Sequence, residues 1–120
     1  MRIVVDLDGT ICPIKKPGES YRDLLPHTGA VEKLHELKKG GHYIIIQTAR
    51  NMATCESNLG RVMKNVGKIT LDWLETYGVP YDEIFFGKPN ADLYIDDRAF
   101  RYESWDSITE DMLKKMGKDR

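Results

Sequence analysis

The hydrophobic pattern changes period several times along the chain. Ile3-Val4-Val5 and Leu7 are apolar on both faces of an extended segment, as in a strand buried within a parallel sheet. Asp8-Gly9-Thr10 closes that segment with a turn. From Ile11 to Pro26 no period holds, and Pro13, Pro17-Gly18 and Pro26 interrupt the chain; this stretch reads as a flap with at most short strands. A helical period then begins after Thr28-Gly29. Ala30, Val31, Leu34 and Leu37 share one face, and Gly40-Gly41 ends the run. Tyr43 to Gln47, centred on three isoleucines, predicts a second strand. Met52 to Asn65 has no clear period and reads as part helix, part loop. Val66, Ile69, Trp73, Leu74 and Tyr77 form a second helical stripe, read as core and stopped by Gly78-Val79-Pro80. Glu83 to Phe86 and Leu93 to Ile95 predict two further short strands. Ser107 to Met116 predicts a last helix, capped by Ser107 or Thr109. Strands alternating with helices predict an α/β domain with a mostly parallel sheet and helices on both faces.

Length and charge narrow this picture. One hundred and twenty residues suit one domain, 1–120, with a single core. Hydrophobic residues make up 41% and charged residues 31%, an ordinary globular balance rather than a disordered or fibrous one. Eighteen basic and nineteen acidic side chains leave a net charge of -1, which disfavours a general nucleic-acid binder. No apolar run approaches the ~20 residues that span a bilayer. Asp6 comes too early for a signal peptide, so a cytoplasmic protein is expected, with Cys12 and Cys55 as thiols.

Candidate chemistry lies at the strand ends. In open α/β sheets, ligands bind at the carboxyl ends of the strands. Asp6 and Asp8 follow the first predicted strand, Thr48 and Arg50 the second, Lys88 the third, Asp96 and Asp97 the fourth. Four carboxylates on one rim repel; at ~4 Å a pair costs about 4 kcal/mol at an effective dielectric of 20. A hard divalent cation offsets that cost, and oxygen ligands favour Mg²⁺. Lys88 and the Thr48 hydroxyl suit phosphoryl oxygens. The implied ligand is a phosphoryl group. Asp6 and Asp8, two residues apart, can face one phosphorus: one carboxylate attacks it, and the other serves as acid and then base.

Asp6-Leu7-Asp8-Gly9-Thr10, Thr48, Lys88 and Asp96-Asp97, in this order, resemble the four motifs of the haloacid dehalogenase (HAD) superfamily. Thr48-Ala49-Arg50-Asn51-Met52, Val79 to Ile84, Gly87-Lys88-Pro89 and Tyr94 to Ala99 are similar to its small capless members, labelled capsule-biosynthesis phosphatases. The resemblance implies a three-layer α/β/α, Rossmann-like fold without a sizeable cap. It implies Asp6 as nucleophile and Mg²⁺ ligand, and Asp8 as general acid/base with its carbonyl on the metal. Thr48 would bind the phosphoryl group, and Lys88 would hold both the nucleophile and the phosphoryl charge. Asp96 would bind Mg²⁺, assisted by Asp97. Gly9, Ala49, Arg50 and Asn51 are the candidate substrate contacts. The expected activity is a phosphomonoesterase working through an aspartyl phosphate on a sugar phosphate or similar small metabolite. A phosphatase on protein or nucleic-acid ends, or a phospho-accepting module without turnover, is the alternative. With no cap, a second copy of the chain could cover the open site.

His27, His35 and His42 show no ligand spacing, and two cysteines without a CxxC do not make a zinc site. Arg50, Asn51, Asn58, Arg61, Lys64 and Lys68 read as a solvated face or as a grip for a second anionic group.

Overall fold

The β-branched runs form the strands of one parallel sheet in the computed structural model, which describes residues 1–117. The strands are β1 (Arg2–Asp6), β2 (Tyr43–Thr48) and β3 (Glu83–Phe86), in the order β1-β2-β3. The register sets Val4 against Ile45, Val5 against Ile46 and Asp6 against Gln47; Ile46 faces Ile84, and Thr48 faces Phe86. All three carboxyl ends therefore point the same way, which is the condition for one functional rim.

Helix α1 (Ala30–Lys39) links β1 to β2 and buries Ala30, Leu34 and Leu37, the face its spacing predicts. Its acid-first, lysine-last ends suit the helix dipole: Glu32 lies in the first turn, Lys38 and Lys39 in the last. Between β2 and β3 the chain winds through α2 (Leu59–Val62), a π-helical turn (Met63–Gly67) and α3 (Lys68–Thr76). Asn58 caps α2, its side chain accepting from the Arg61 N–H. α3 buries Thr70, Trp73 and Leu74. Trp73 donates its indole N–H to the Leu24 carbonyl at 2.7 Å, which ties the flap to the helix.

Both crossovers step the same way across the sheet, and the right-handed rule places both on one face, not on both faces as the three-layer expectation had it. Burial along the strands follows this, except at Ile45 in the central strand, which shares the face of Val4 and is 7% exposed. Val5, Ile44, Ile46 and Thr48 point to the covered face and are all buried. Val4 and Phe85, pointing the other way, are 58% and 52% exposed.

The chain divides into two compact units, Met1–Asn90 and Ala91–Arg120. The second holds α4 (Glu110–Met116), with Leu113 buried and Thr109 as its cap, accepting from the Met112 N–H at 3.1 Å. Ser107, the other candidate cap, lies in a short 3-10 turn, Trp105–Ser107. Leu93 to Ile95, expected as a fourth strand, is not one. The run is only three residues long and lies between turn formers. Asp96 accepts the Arg98 N–H at 2.8 Å, bending the chain, and Ile95 is 93% exposed. Among the described residues, no helix is long and apolar enough to cross a membrane.

Candidate active site

The first unit gathers Asp6, Asp8, Thr48, Arg50 and Lys88 at the carboxyl ends of its strands. Asp6 is the last residue of β1. Immediately after it the chain folds on itself, with the Leu7 carbonyl accepting from the N–H groups of Thr10, Ile11 and Cys12 at 2.9–3.2 Å. The Gly9 N–H donates to the Cys12 carbonyl at 2.6 Å. Closing this turn needs a left-handed residue, and Gly9 supplies it with φ +90. Asp8 is thereby fixed on a knot of backbone hydrogen bonds rather than on a free loop.

The Lys88 ammonium lies 3.4 Å from the Asp6 carboxylate. It gets there because the Thr48 carbonyl, at the end of β2, accepts the N–H groups of both Gly87 (3.2 Å) and Lys88 (3.1 Å). Gly87 adopts φ +101, so the turn that aims Lys88 depends on glycine. Burial pushes the Asp6 carboxyl above the ordinary range; Lys88 opposes this, and the nearby Asp8 charge adds to it.

Thr48 is buried, and its hydroxyl oxygen accepts the Arg50 N–H at 3.0 Å. That bond folds the chain back after β2 and sends the Arg50 side chain inward. Its guanidinium engages Asp8 along one edge: Nε lies 2.9 Å from Oδ2 and 3.2 Å from Oδ1, and Nη2 lies 3.0 Å from Oδ1. Nη1 donates to Thr70 Oγ1 at 3.1 Å, and the Tyr21 ring stacks 4.1 Å from the guanidinium carbon. Cys12 completes the surround, its thiol 3.5 Å from Asp8 Oδ1. Burial first, then the Asp8 charge, pushes that thiol up to about 12, so it stays protonated.

Among the other sequence candidates, Asn51 has a left-handed backbone (φ +59) and takes a 3.5 Å contact from Asn65 Nδ2. Ala49 packs against the cluster of Met52, Cys55, Val62 and Val66. Asp96 and Asp97 belong to the second unit. Tyr21 and Thr70 were not singled out by the sequence as site residues. Thr70 did leave a trace: it is a polar residue on the otherwise apolar stripe of Val66, Ile69, Trp73 and Leu74.

The donor set of this unit is hard. Asp6 and Asp8 offer oxygens, and the neighbouring thiol is protonated. Among the described residues, no group of three or more His, Cys, Asp or Glu side chains is placed to hold a metal ion. Mg²⁺ commonly takes only one or two carboxylates and completes its shell with water and phosphate oxygens. The pair fits that ion and not a protein-only cage.

No family model and no curated protein matches the sequence. Among solved structures, the chain is similar to one of the Pnkp1/Rnl/Hen1 RNA repair complex, with 22% identity and a TM-score of 0.49 over 81% of this chain and 28% of that one. It is also similar to a Vibrio cholerae protein of known crystal structure, with a TM-score of 0.85 and 38% identity. That match covers 96% of this chain and 94% of the other. With that identity over nearly the full length of both, the chain belongs to the same family as the Vibrio cholerae protein.

Proposed function

We propose that the protein is a phosphomonoesterase of haloacid dehalogenase type, with Asp6 as nucleophile. The observation that carries the reading is the trio at the strand ends: Asp6 on β1, Lys88 held 3.4 Å from it, and Asp8 fixed two residues on. A lysine so placed can take phosphoryl oxygens while keeping the attacking carboxylate oriented.

The chemistry would run in two halves. An Asp6 oxygen attacks the phosphorus of a monoester, the bond to the leaving oxygen breaks, and that oxygen takes a proton from the Asp8 carboxyl group. The product alcohol departs and Asp6 carries the phosphoryl group. Asp8, now a carboxylate, takes a proton from a water whose oxygen attacks the phosphorus. The acyl-phosphate bond breaks, inorganic phosphate leaves, and both aspartates return to their starting states. The Asp6 carboxylate and the Asp8 carbonyl would hold Mg²⁺. When bound, Mg²⁺ supplies positive charge to the phosphoryl oxygens. Sugar phosphates or similar small metabolites are the proposed substrates.

The test is hydrolysis of an aryl phosphate with Mg²⁺. Turnover should vanish on chelation with EDTA and return with added Mg²⁺, and Asp6→Asn should be inactive. An active Asp6→Asn enzyme overturns the reading. A stable acyl phosphate without phosphate release would identify a phospho-accepting module instead.

A further inference from the structure

We propose that Arg50 is a positioning residue for Asp8, and that Thr70 and Tyr21 hold Arg50 in turn. The inference rests on the phosphatase reading and extends it to residues on three other segments of the first unit. The Arg50 side chain is fully buried, whereas the Asp8 side chain remains 22% exposed. A buried guanidinium is costly unless every donor finds a partner. Here Nε and Nη2 take the Asp8 carboxylate, Nη1 takes Thr70, and the Tyr21 ring covers one face.

That asymmetry is the core of the inference. A pair serving stability alone can bury both partners or leave either one hydrated. A pair that aims a carboxylate at a reacting group must leave that carboxylate partly open, as Asp8 is, with the cation behind it locked from several directions. The edge-on geometry uses two nitrogens of one planar fork, which fixes the plane of the carboxylate as well as its distance. A lysine at the same place would keep the charge and lose the plane. The route from β1 is short: the Leu7 turn sets the Asp8 backbone, and Arg50 sets its side-chain torsion.

Steady-state kinetics on an aryl phosphate with saturating Mg²⁺ test this, with folding checked by circular dichroism and thermal melting. Arg50→Lys should lower kcat by about 10- to 100-fold, the scale of a misplaced catalytic group, and leave KM within about twofold. In Arg50→Ala, low millimolar guanidinium should restore part of kcat, whereas methylammonium should not. Thr70→Val should lower kcat by a few-fold at unchanged KM, since one hydrogen bond on the fork is lost. Should Arg50→Lys fail to fold, Thr70→Val decides alone. Wild-type kcat in a folded Arg50→Lys or, failing that, in Thr70→Val overturns the positioning role. So does a raised KM with kcat intact, which would assign Arg50 to substrate. A wild-type protein without turnover, or an active Asp6→Asn variant, fails the phosphatase reading itself and takes the catalytic role of Arg50 with it.

Discussion

Asp82 shows how single side chains hold the sheet together at the end remote from Asp6. Its N–H donates to the Ile44 carbonyl, and its carboxylate accepts the Ile44 N–H at 2.8 Å, so it brackets the junction of β2 and β3. Lys38, at the end of α1, reaches the same carboxylate at 2.6 and 2.8 Å and also donates to the His42 carbonyl. The hydrogen bond from Lys38, and then the one from Ile44, hold the Asp82 carboxyl below the ordinary range. The sign of the linkage follows. A carboxyl group lowered by folding stabilises the fold above its unfolded value, about pH 4, and loses that contribution as the pH falls through its folded value. Asp82→Asn keeps an oxygen for the Ile44 N–H and removes only the charge facing Lys38. The variant should melt below wild type at pH 7, and the two curves should converge as the pH is taken below about 4. An equal gap at pH 7 and pH 3 would show that the ion pair contributes nothing.

β1 and β2 carry opposite expectations on their two faces. Ile46 is fully buried beneath the helical layer, and Val4 is 58% exposed on the other face. Ile46→Ala should cost about 2–5 kcal/mol, since it leaves a cavity that the packed layer cannot fill. Val4→Ala should stay within about 0.5 kcal/mol. Urea midpoints of the two variants check this, and equal losses would refute the one-sided packing. The strands themselves were open to sequence reading because β-branched runs between turn residues leave few alternatives. Glu83 to Phe86 fell within its expected bounds, and β2 extended by one residue to Thr48. The π-helical turn at Met63–Gly67 was not readable. Met52 to Ser57 form turns and α2 is a single helical turn, so Met52 to Asn65, read as part helix and part loop, holds too little regular structure to show a period. Leu93 to Ile95 misled for the opposite reason: apolar composition was present but no pairing partner is specified by sequence. The same divide runs through the site. Asp6, Asp8, Thr48 and Lys88 could be picked out because each ends or closely follows a strand, and strand ends are local features. The partners of Arg50 could not, since Asp8 is 42 positions away and Thr70 is 20. Those contacts depend on how α3 and the flap pack, which no spacing rule encodes.

At the scale of the whole chain, the division into two units predicts where it is first cut. Proteases need several consecutive exposed residues that can be pulled into an extended form. Residues 89–101 are all exposed and contain no helix or strand. The other long irregular segment, the flap from Ile11 to Pro26, is tied down. His27 N–H donates to the Ile11 carbonyl at 2.7 Å, Trp73 donates to Leu24, and Tyr21 stacks on the buried Arg50. Exposure alone would put both segments at risk, because Arg22 is also at the surface. The difference is that freeing the flap means unstacking Tyr21 and breaking the Trp73 bond, both of which involve buried groups. Trypsin should therefore cut first at Arg98 and Arg101, and fragments ending at Lys15 or Arg22 should come later. Lys88 should resist because Pro89 follows it. Mass spectrometry along a digestion time course reads the order directly. First cuts at Lys15 or Arg22 would mean that the flap opens more readily than its hydrogen bonds imply. The Tyr21 contact would then be too loose to hold Arg50, so the same digest bears on the support proposed for Asp8.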